Sequence, residues 1–182
     1  MPGSDRVTYR SERDQVVEGG RQHYDAIAES RGGVRGPFPV LLNSPEMAGL
    51  IGQLGHYIRY EGVLEDAARE LVIIATARHF DCPYEWAAHA EIARDAGVDD
   101  DTVEAIADEV DPAELDEPAR TLVAYVWELL DDHTISDETF GAAYEGYGER
   151  GVVEITGTVG YYAMIACTLN AFEVFPEKPY FA

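Results

Sequence analysis

Apolar residues recur at helical spacing along almost the whole chain, and no long run alternates apolar and polar residues as a half-buried strand would. The clearest case is the set Met47, Leu50, Ile51, Leu54 and Ile58, which forms one apolar stripe at three- and four-residue steps. The pattern predicts an all-α fold, a bundle of about seven helices.

Capping residues, prolines and glycines divide this pattern into separate helices. A polar helix is expected over residues 11–30, and a loop rich in glycine and proline is expected over residues 32–39. The later helices are expected to start near Ser44, Glu65, Cys82, Asp99, Asp116, Ser136 and Gly148. The helix after Gly148 is long, carries no charge from Ile155 to Phe172, and closes the predicted bundle before Pro176.

At 182 residues the chain is expected to form a single domain with a sizeable core. The uncharged segment 155–172 is nearly long enough to span a bilayer, but Gly157, Gly160 and Asn170 dilute its apolar character. We therefore expect a buried core helix or an interface helix. The first ten residues lack the apolar run of a signal peptide, so a cytoplasmic location is expected.

The charge of the chain is strongly negative: 35 Asp and Glu stand against 13 Lys and Arg, which gives a net charge of −22. Lys178 is the only lysine, and the other cations are arginines. At molar salt the Debye length falls to about 3 Å, and the self-repulsion of such a surface is largely screened. The charge therefore favours a halophilic protein of a high-salt cytoplasm, with an ordinary acidic protein or an acidic surface for a basic partner as alternatives. It argues against unaided nucleic-acid binding, because phosphate contacts need clustered Lys and Arg.

A cysteine, two carboxylates and a histidine lie close together in the sequence between Glu70 and His89. Cys82 precedes Pro83 at a helix start, where the positive end of the helix dipole is expected to lower the pKa of the thiol. Glu85 and His89 follow Cys82 by three and seven residues, a spacing that places all three side chains on one helix face. The segment is the predicted active site, with Glu70, Cys82, Glu85 and His89 as candidate catalytic residues.

Each of these residues also has a plainer interpretation. His89 with Glu85 is either a general base oriented by a carboxylate or a surface salt bridge. Glu70 is expected to face inward as a buried carboxylate with a raised pKa, although an outward helix charge would show the same pattern. Cys82 is either a nucleophile that forms a sulfenic acid, resolved by Cys167 or by another thiol, or an inert buried residue.

Tyr84, Trp86 and His56 are the candidate substrate-binding residues, because they can line a pocket beside the predicted active site. Aromatic residues at helical positions are also common in a core or an interface. Arg69 and Arg78 are candidates for holding a substrate carboxylate. The spacing of the His, Cys and Glu residues matches no compact zinc motif, so neither a metal nor another cofactor is predicted.

Several short motifs resemble those of the carboxymuconolactone decarboxylase-like proteins, whose superfamily includes alkylhydroperoxidase D. They are Gly36-Pro37-Phe38, Asn43-Ser44-Pro45-Glu46, Arg69-Glu70-Leu71, Tyr84-Glu85-Trp86-Ala87-Ala88-His89, Ala96-Gly97 and Leu169-Asn170-Ala171-Phe172-Glu173. The resemblance covers about residues 36–174. It implies an alkylhydroperoxidase D-like helical domain over residues 36–182, preceded by an N-terminal helical extension over residues 1–35. It also implies trimers or hexamers, with the active site near the start of the motif helix.

The resemblance implies two different chemistries. The peroxidase branch of the superfamily uses a Glu, a Cys-x-x-Cys pair and a following His as a proton relay, and Glu70, Cys82 and His89 match three of these four positions. Glu85 stands where that branch has its second cysteine, so the disulfide of the peroxidase cycle cannot form within this motif. The decarboxylase branch does not depend on the cysteine pair, and Glu85 and His89 suit acid-base chemistry on a lactone carboxylate better.

Three functional hypotheses follow. The first is an enzyme resembling carboxymuconolactone decarboxylase, which acts on a lactone or another small carboxylated substrate through Glu/His acid-base chemistry. The second is an antioxidant enzyme similar to alkylhydroperoxidase D, with Cys82 as a single peroxidatic thiol. The third is a non-catalytic oligomeric binding protein whose uncharged C-terminal helix forms the subunit contact. The expected partners are a small-molecule substrate and further copies of the chain, without nucleic acid or membrane.

Overall fold

The computed structural model describes residues 6–177, which form eight α-helices; no strand occurs among these residues. The helices are α1 (Arg21–Arg31), α2 (Phe38–Leu41), α3 (Pro45–Tyr60), α4 (Asp66–His79), α5 (Pro83–Asp95), α6 (Asp100–Ala107), α7 (Ala119–Asp131) and α8 (Asp137–Ala171). Single 3-10 turns lie at Arg13–Gln15, Glu18–Gly20 and Pro112–Glu114. The predicted all-α fold is confirmed, and α2 is one helical turn that begins within the expected loop.

The helix boundaries follow the local chemistry that predicted them. Ser136 accepts a hydrogen bond from the Thr139 amide at 3.2 Å and caps α8, and Asp99 accepts one from the Thr102 amide at 2.8 Å and caps α6. Helix α8 is broken at Gly148, whose φ of 68° and ψ of 179° form a backbone conformation that glycine adopts readily and other residues rarely adopt. The prediction of one helix from Ser136 and a longer one after Gly148 is therefore confirmed.

The polar helix expected over residues 11–30 is shorter than predicted. It begins at Arg21, and two 3-10 turns precede it. Gly19 and Gly20 interrupt the helical pattern, because glycine in a helix interior costs about 1 kcal/mol relative to alanine. Gly20 also lies against Pro45, since a Cβ at this position would be 2.5 Å from Cγ of the proline ring. The chain turns here and brings α1 onto the start of α3.

Helix α1 packs closely on α3 through a row of glycines. Three glycines of α3 face three larger side chains of α1: Gly49 faces His23, Gly52 faces Ile27, and Gly55 faces Arg31. A Cβ at Gly49 would lie 2.2 Å from Nδ1 of His23, so larger residues would push the helices apart. The apolar stripe predicted on the same helix is only partly buried, because Ile51 is 7% exposed and Leu50 is 68% exposed.

Helix α4 is the central helix of the bundle and contacts α5, α7 and α8. Its ten consecutive residues from Ala68 to Ala77 are all buried, and two of them, Arg69 and Glu70, carry charge. Buried charged groups need partners inside the protein. The connection from α4 to α5 is short, with Asp81 in the left-handed region at φ 44°, so the two helices pack side by side. This turn places Glu70 of α4 opposite His89 of α5.

Helix α8 is long and apolar enough, by length and composition alone, to cross a membrane. Half of its most apolar stretch is buried in the fold. One such helix is weak evidence for a membrane span, because a core helix of a soluble protein can have the same length and composition. Its outer side forms a groove of about 560 Å³ with α3, lined by residues that include Leu54, Val153 and Gly157. The trimer or hexamer and the division of the chain at residues 35 and 36 stay predictions.

Candidate active site

Three side chains of the predicted active site form a buried hydrogen-bonded network. Nδ1 of His89 lies 2.6 Å from Oε2 of Glu70, and Nε2 lies 3.3 Å from Oε2 of Glu85. The exposed fractions are 2% for Glu70, 6% for Glu85 and 3% for His89. The prediction that Glu70 faces inward is confirmed, and the imidazole lies between two carboxylates.

The two carboxylates determine the charge of His89. Burial disfavours the imidazolium, but the hydrogen bonds to Glu70 and Glu85 and their negative charges outweigh burial and raise the pKa of His89. Both ring nitrogens face carboxylate oxygens, so a doubly protonated ring donates to both. A raised pKa favours the protonated ring, which can donate a proton, whereas the sequence suggested either a general base or a surface salt bridge.

Two helices hold the members of the network, α4 with Glu70 and α5 with Glu85 and His89. Glu85 lies in the first turn of α5, where the helix dipole favours a carboxylate, and His89 follows one turn later on the same face. Arg69, next to Glu70 on α4, donates from Nε to Oε1 of Glu70 at 3.4 Å and from Nη1 to Asp66 at 2.9 Å. Its guanidinium offsets part of the negative charge that the buried site concentrates.

A cavity of about 510 Å³ opens beside the network, a volume typical of small-molecule sites. Glu85 and His89 form part of its wall, and Glu70 lies behind His89. The lining residues are Ser30, Arg31, Arg35, Gly36, Pro37, Phe38, Arg59, Tyr60, Tyr84, Glu85, Ala88, His89, Ile92, Tyr161, Tyr162 and Ile165. The wall is therefore built by α1, the loop that follows it, α2, α3, α5 and α8.

Three of the twelve arginines of the chain, Arg31, Arg35 and Arg59, line this cavity. In a chain with 35 acidic residues, this cluster of cations departs from the charge of the rest of the molecule. Burial opposes the charge of Arg59, but neighbouring tyrosines and the carboxylates of Glu70 and Glu85 favour it more, and its pKa is raised. The cavity thus suits an anionic small molecule.

The two arginines suggested by the sequence lie elsewhere. Arg69 is engaged by its neighbouring carboxylates, and Arg78 donates to the Ala107 carbonyl at 2.7 Å and to Glu109 at 2.8 Å. Neither side chain belongs to the cavity wall. Their charges are used within the fold, so neither is positioned to hold a substrate carboxylate in this cavity.

Two adjacent tyrosines of α8 complete the cavity wall. The ring of Tyr162 meets the His89 ring edge-on at a centroid distance of 5.2 Å, and Tyr161 meets Tyr162 edge-on at 5.2 Å. Burial raises the pKa of both hydroxyls, which therefore remain protonated hydrogen-bond donors. The sequence did not single them out, because both lie in the uncharged segment 155–172, where aromatic residues indicate a core.

Cys82 does not belong to the cavity wall. Its side chain is 0% exposed and packs in an apolar cluster with Ile73 and Ala166. Burial raises the pKa of the thiol to about 12, even though backbone amides at the helix start favour the thiolate. The predicted lowering of this pKa by the helix dipole is therefore wrong, because desolvation outweighs the dipole. A thiol with these properties is inert in the resting structure.

The three residues suggested for substrate binding are separated in the structure. Tyr84 lines the cavity, and its ring covers Gly36, where a Cβ would lie 3.3 Å from the ring. Trp86 is two residues further along α5, about 200° around the helix, and is buried in the main core. His56 lines a separate groove of about 290 Å³, with Nε2 3.4 Å from Glu61. Of the three, only Tyr84 reaches the cavity.

Within residues 6–177, no group of three or more His, Cys, Asp or Glu side chains is arranged to hold a metal ion. The polar side chains of the cavity wall carry guanidinium groups, tyrosine hydroxyls, the Ser30 hydroxyl, one imidazole and one carboxylate. Such a mixture of donors and acceptors can orient a small organic molecule.

Residues 45–128 match the sequence model of the Carboxymuconolactone decarboxylase family. The chain is therefore similar to this family over a segment that makes up somewhat less than half of its length. The matched segment contains Glu70, Cys82, Glu85 and His89, begins after α1 and ends before α8. No curated protein sequence matches the chain.

Solved structures share the fold of this chain along nearly its whole length. An uncharacterised peroxidase-related protein from Ralstonia eutropha JMP134, an alkylhydroperoxidase AhpD core, is 17% identical with a TM-score of 0.77, covering 98% of this chain and 94% of its own. An uncharacterised peroxidase-related protein from Silicibacter sp. TM1040 is 16% identical with a TM-score of 0.75, and the match covers 100% of this chain and 97% of that protein. A cysteine-to-alanine variant of the debrominase Bmp8, in complex with 2,3,4-tribromopyrrole, is 15% identical with a TM-score of 0.70. The match covers 94% of this chain and 92% of that protein. The predicted alkylhydroperoxidase D-like bundle is confirmed.

Proposed function

We propose that the protein is a small-molecule enzyme that uses acid-base chemistry on a lactone or another small carboxylated substrate. The observation that carries the proposal is the contact of Glu70, His89 and Glu85 beside a cavity lined by three arginines. Groups that exchange protons lie in the cavity wall, and guanidinium groups match the geometry and charge of a carboxylate.

In this proposal each member of the network has a separate role. Glu70 accepts the Nδ1 proton of His89, fixes the ring and stabilises the imidazolium, as the carboxylate of a catalytic triad does. Nε2 of His89 and the carboxylate of Glu85 exchange protons with the substrate, because both belong to the cavity wall. Glu70 therefore acts through His89 and does not touch the substrate.

Decarboxylation illustrates why a proton donor is needed at this position. When the bond to the carboxylate breaks and carbon dioxide leaves, the bonding electron pair stays on the substrate carbon, where a conjugated lactone carbonyl can delocalise it. A proton transferred from His89 to that carbon completes the reaction, and the imidazole regains its proton from water through Glu85. An imidazolium held between two carboxylates supplies the proton in this scheme.

The single-thiol peroxidase is the second candidate. The match of Glu70, Cys82 and His89 to three positions of the peroxidase relay favours it, and two of the structural neighbours are peroxidase-related proteins. The burial of Cys82 and its pKa of about 12 weigh against it, because peroxide reduction needs an accessible thiolate.

The test is an assay of the purified protein in molar salt with carboxymuconolactone and related lactones, following the substrate absorbance and the released carbon dioxide. We expect turnover by the wild type, its loss in Glu85→Gln and His89→Gln, and its retention in Cys82→Ser. Turnover that survives His89→Gln contradicts the acid-base role.

A peroxide-consumption assay on the same proteins separates the other candidates. Consumption that is lost in Cys82→Ser and kept in Cys167→Ser selects the single-thiol peroxidase. A stable oligomer without turnover, thiol reactivity or ligand-dependent stabilisation selects the non-catalytic binding protein.

A further inference from the structure

The cavity has a second polar end, which Arg31 of α1 and Tyr161 of α8 build against the backbone of α3. A Cβ at Gly55 would lie 2.1 Å from Oη of Tyr161 and 2.6 Å from Nη2 of Arg31. The phenol and the guanidinium therefore meet in space that any other residue at position 55 would occupy. Glycine in a helix interior costs about 1 kcal/mol relative to alanine, so Gly55 lowers the stability of α3 but leaves room for this pair.

This end is distinct from the proton-transfer end of the cavity. The ring of Tyr162 lies between them, edge-on to His89 on one side and edge-on to Tyr161 on the other, with centroid distances of 5.2 Å in both cases. A molecule that contacts both ends must therefore extend along Tyr162.

Arg31 is fixed in place, but its donors are not all used. Its guanidinium lies over the Phe38 ring at 4.4 Å from the centroid, and Nη2 is 3.4 Å from the Gly52 carbonyl oxygen. Its Nε is buried and has no hydrogen-bond partner among residues 6–177. An orphaned buried donor costs about 1–3 kcal/mol, so the fold holds the Arg31 guanidinium at the cavity wall at a cost in stability.

We infer that Arg31 and Tyr161 form a carboxylate-binding subsite for the anionic end of a small organic molecule. The planar guanidinium and the neighbouring hydroxyl present N–H and O–H donors to the two oxygens of a carboxylate. Burial raises the pKa of Tyr161, so its hydroxyl stays protonated and can donate. The role of this subsite in holding a substrate rests on the proposed function, whereas its ability to bind a carboxylate does not.

Neither residue of the subsite lies in the segment that matches the family model. Arg31 precedes residues 45–128 and Tyr161 follows them, while Glu70, Glu85 and His89 lie inside. The proton-transfer groups are thus on the family segment, and the subsite comes from the helices that flank it. The subsite accordingly sets which anion this particular chain accepts.

Binding can be measured without turnover by fluorine NMR of two probes in constant molar NaCl. The probes are 4-fluorobenzoate and 4-fluorobenzamide, a planar anion and a neutral molecule of nearly the same shape. We expect saturable binding of the benzoate to the wild-type protein and at least tenfold weaker binding of the benzamide. Arg31→Gln is expected to weaken benzoate binding by at least about tenfold, because a charge-assisted hydrogen bond is lost.

Gly55→Ala tests the geometry while both side chains remain. The added methyl group must displace the far ends of the Arg31 and Tyr161 side chains, and Tyr161 is buried, so the melting temperature is expected to fall while the fold persists. Benzoate affinity is expected to fall about as much as in Arg31→Gln. Gly141→Ala in α8 is the matched control, because a Cβ there meets nothing within 4 Å, and it is expected to bind like the wild type.

The inference is overturned by benzoate binding that is undiminished in either Arg31→Gln or Gly55→Ala, by equal binding of the benzamide, or by no benzoate binding to the wild type. Benzoate binding that depends on Arg31 without turnover of any lactone would leave the subsite standing and remove the proposed reaction. Turnover of a lactone together with benzoate binding that does not depend on Arg31 would support the proposed reaction and contradict the subsite.

Discussion

Nδ1 of His89 and Oε2 of Glu70 are 2.6 Å apart although the two residues lie on different helices, and both side chains are almost fully buried. The contact joins α5 to the central helix α4, and Glu85 closes the network from the cavity side. Removing one partner of a buried ion pair is strongly destabilising, because it leaves an uncompensated charge. The stability of the fold and the protonation of the site are therefore coupled.

The free energy of unfolding is expected to fall as the pH rises through the folded-state pKa of His89. Burial opposes the imidazolium, but Glu70 and Glu85 outweigh burial and raise this pKa. The stabilisation is fully present below the unfolded-state value of about 6.5 and is lost as the pH rises through the higher folded-state value. Urea unfolding at constant salt, from mildly acidic to alkaline pH, measures this loss. His89→Gln is expected to remove it, and an unchanged pH profile in that variant would contradict the assignment.

Glu70→Ala is expected to lower the free energy of unfolding by about 3–5 kcal/mol, because it leaves the buried imidazolium without its closest partner. Glu70→Gln keeps a hydrogen-bond acceptor and is expected to cost less, while the pKa of His89 falls because one negative charge is gone. Urea unfolding measures the stability, and NMR titration of the ring measures the pKa. Glu61→Gln is the control, since Glu61 pairs with His56 on the exposed surface, and its effect is expected to stay within about 0.5 kcal/mol. Equal effects of Glu70→Ala and Glu61→Gln on the free energy of unfolding would show that the buried contact does not stabilise the fold.

The helices and the proton-transfer residues could be predicted because both depend on local sequence. Apolar spacing and capping residues such as Asp99 and Ser136 define helix positions wherever tertiary contacts do not intervene. Glu85 and His89 are four residues apart on one helix, and the short turn before that helix brings Glu70 to them. A family resemblance carried by the same segment pointed to the same residues.

The rest of the cavity depends on contacts between distant segments and could not be predicted in this way. Arg31 and Tyr161 are 130 residues apart in the chain, and nothing near either one distinguishes it from other arginines and tyrosines.

The pKa of Cys82 could not be predicted from local sequence for the same reason. A helix dipole contributes up to about 1 kcal/mol at exposed sites, whereas complete burial can shift a pKa by several units, and Cys82 is buried in an apolar cluster that distant segments, including Ile73 and Ala166, help to form.

Cys82 is expected to resist alkylation in the folded protein. With a pKa of about 12, on the order of one thiol in ten thousand is ionised at about pH 8, and the side chain is 0% exposed. Iodoacetamide treatment followed by peptide mass spectrometry measures the reactivity, with exposed Cys167 as the reactive reference and urea-unfolded protein as the positive control. Rapid native labelling of Cys82 would show an accessible thiolate and would favour the single-thiol peroxidase over the acid-base enzyme.

The free energy of unfolding is expected to rise with salt concentration, because a net charge of −22 repels itself in the compact state and salt screens the repulsion. Glu104 and Asp108 offer a local test, since they are exposed like charges four residues apart near the C-terminal end of α6, where the helix dipole also disfavours them. The double variant Glu104→Gln, Asp108→Asn is expected to unfold at higher urea concentration than the wild type in low salt and to depend less on NaCl. The buried network of Glu70, His89 and Glu85 is shielded from ions, so the part of the pH dependence that comes from His89 is expected at every salt concentration. A wild-type stability that is flat in NaCl would instead support an acidic surface that meets a basic partner.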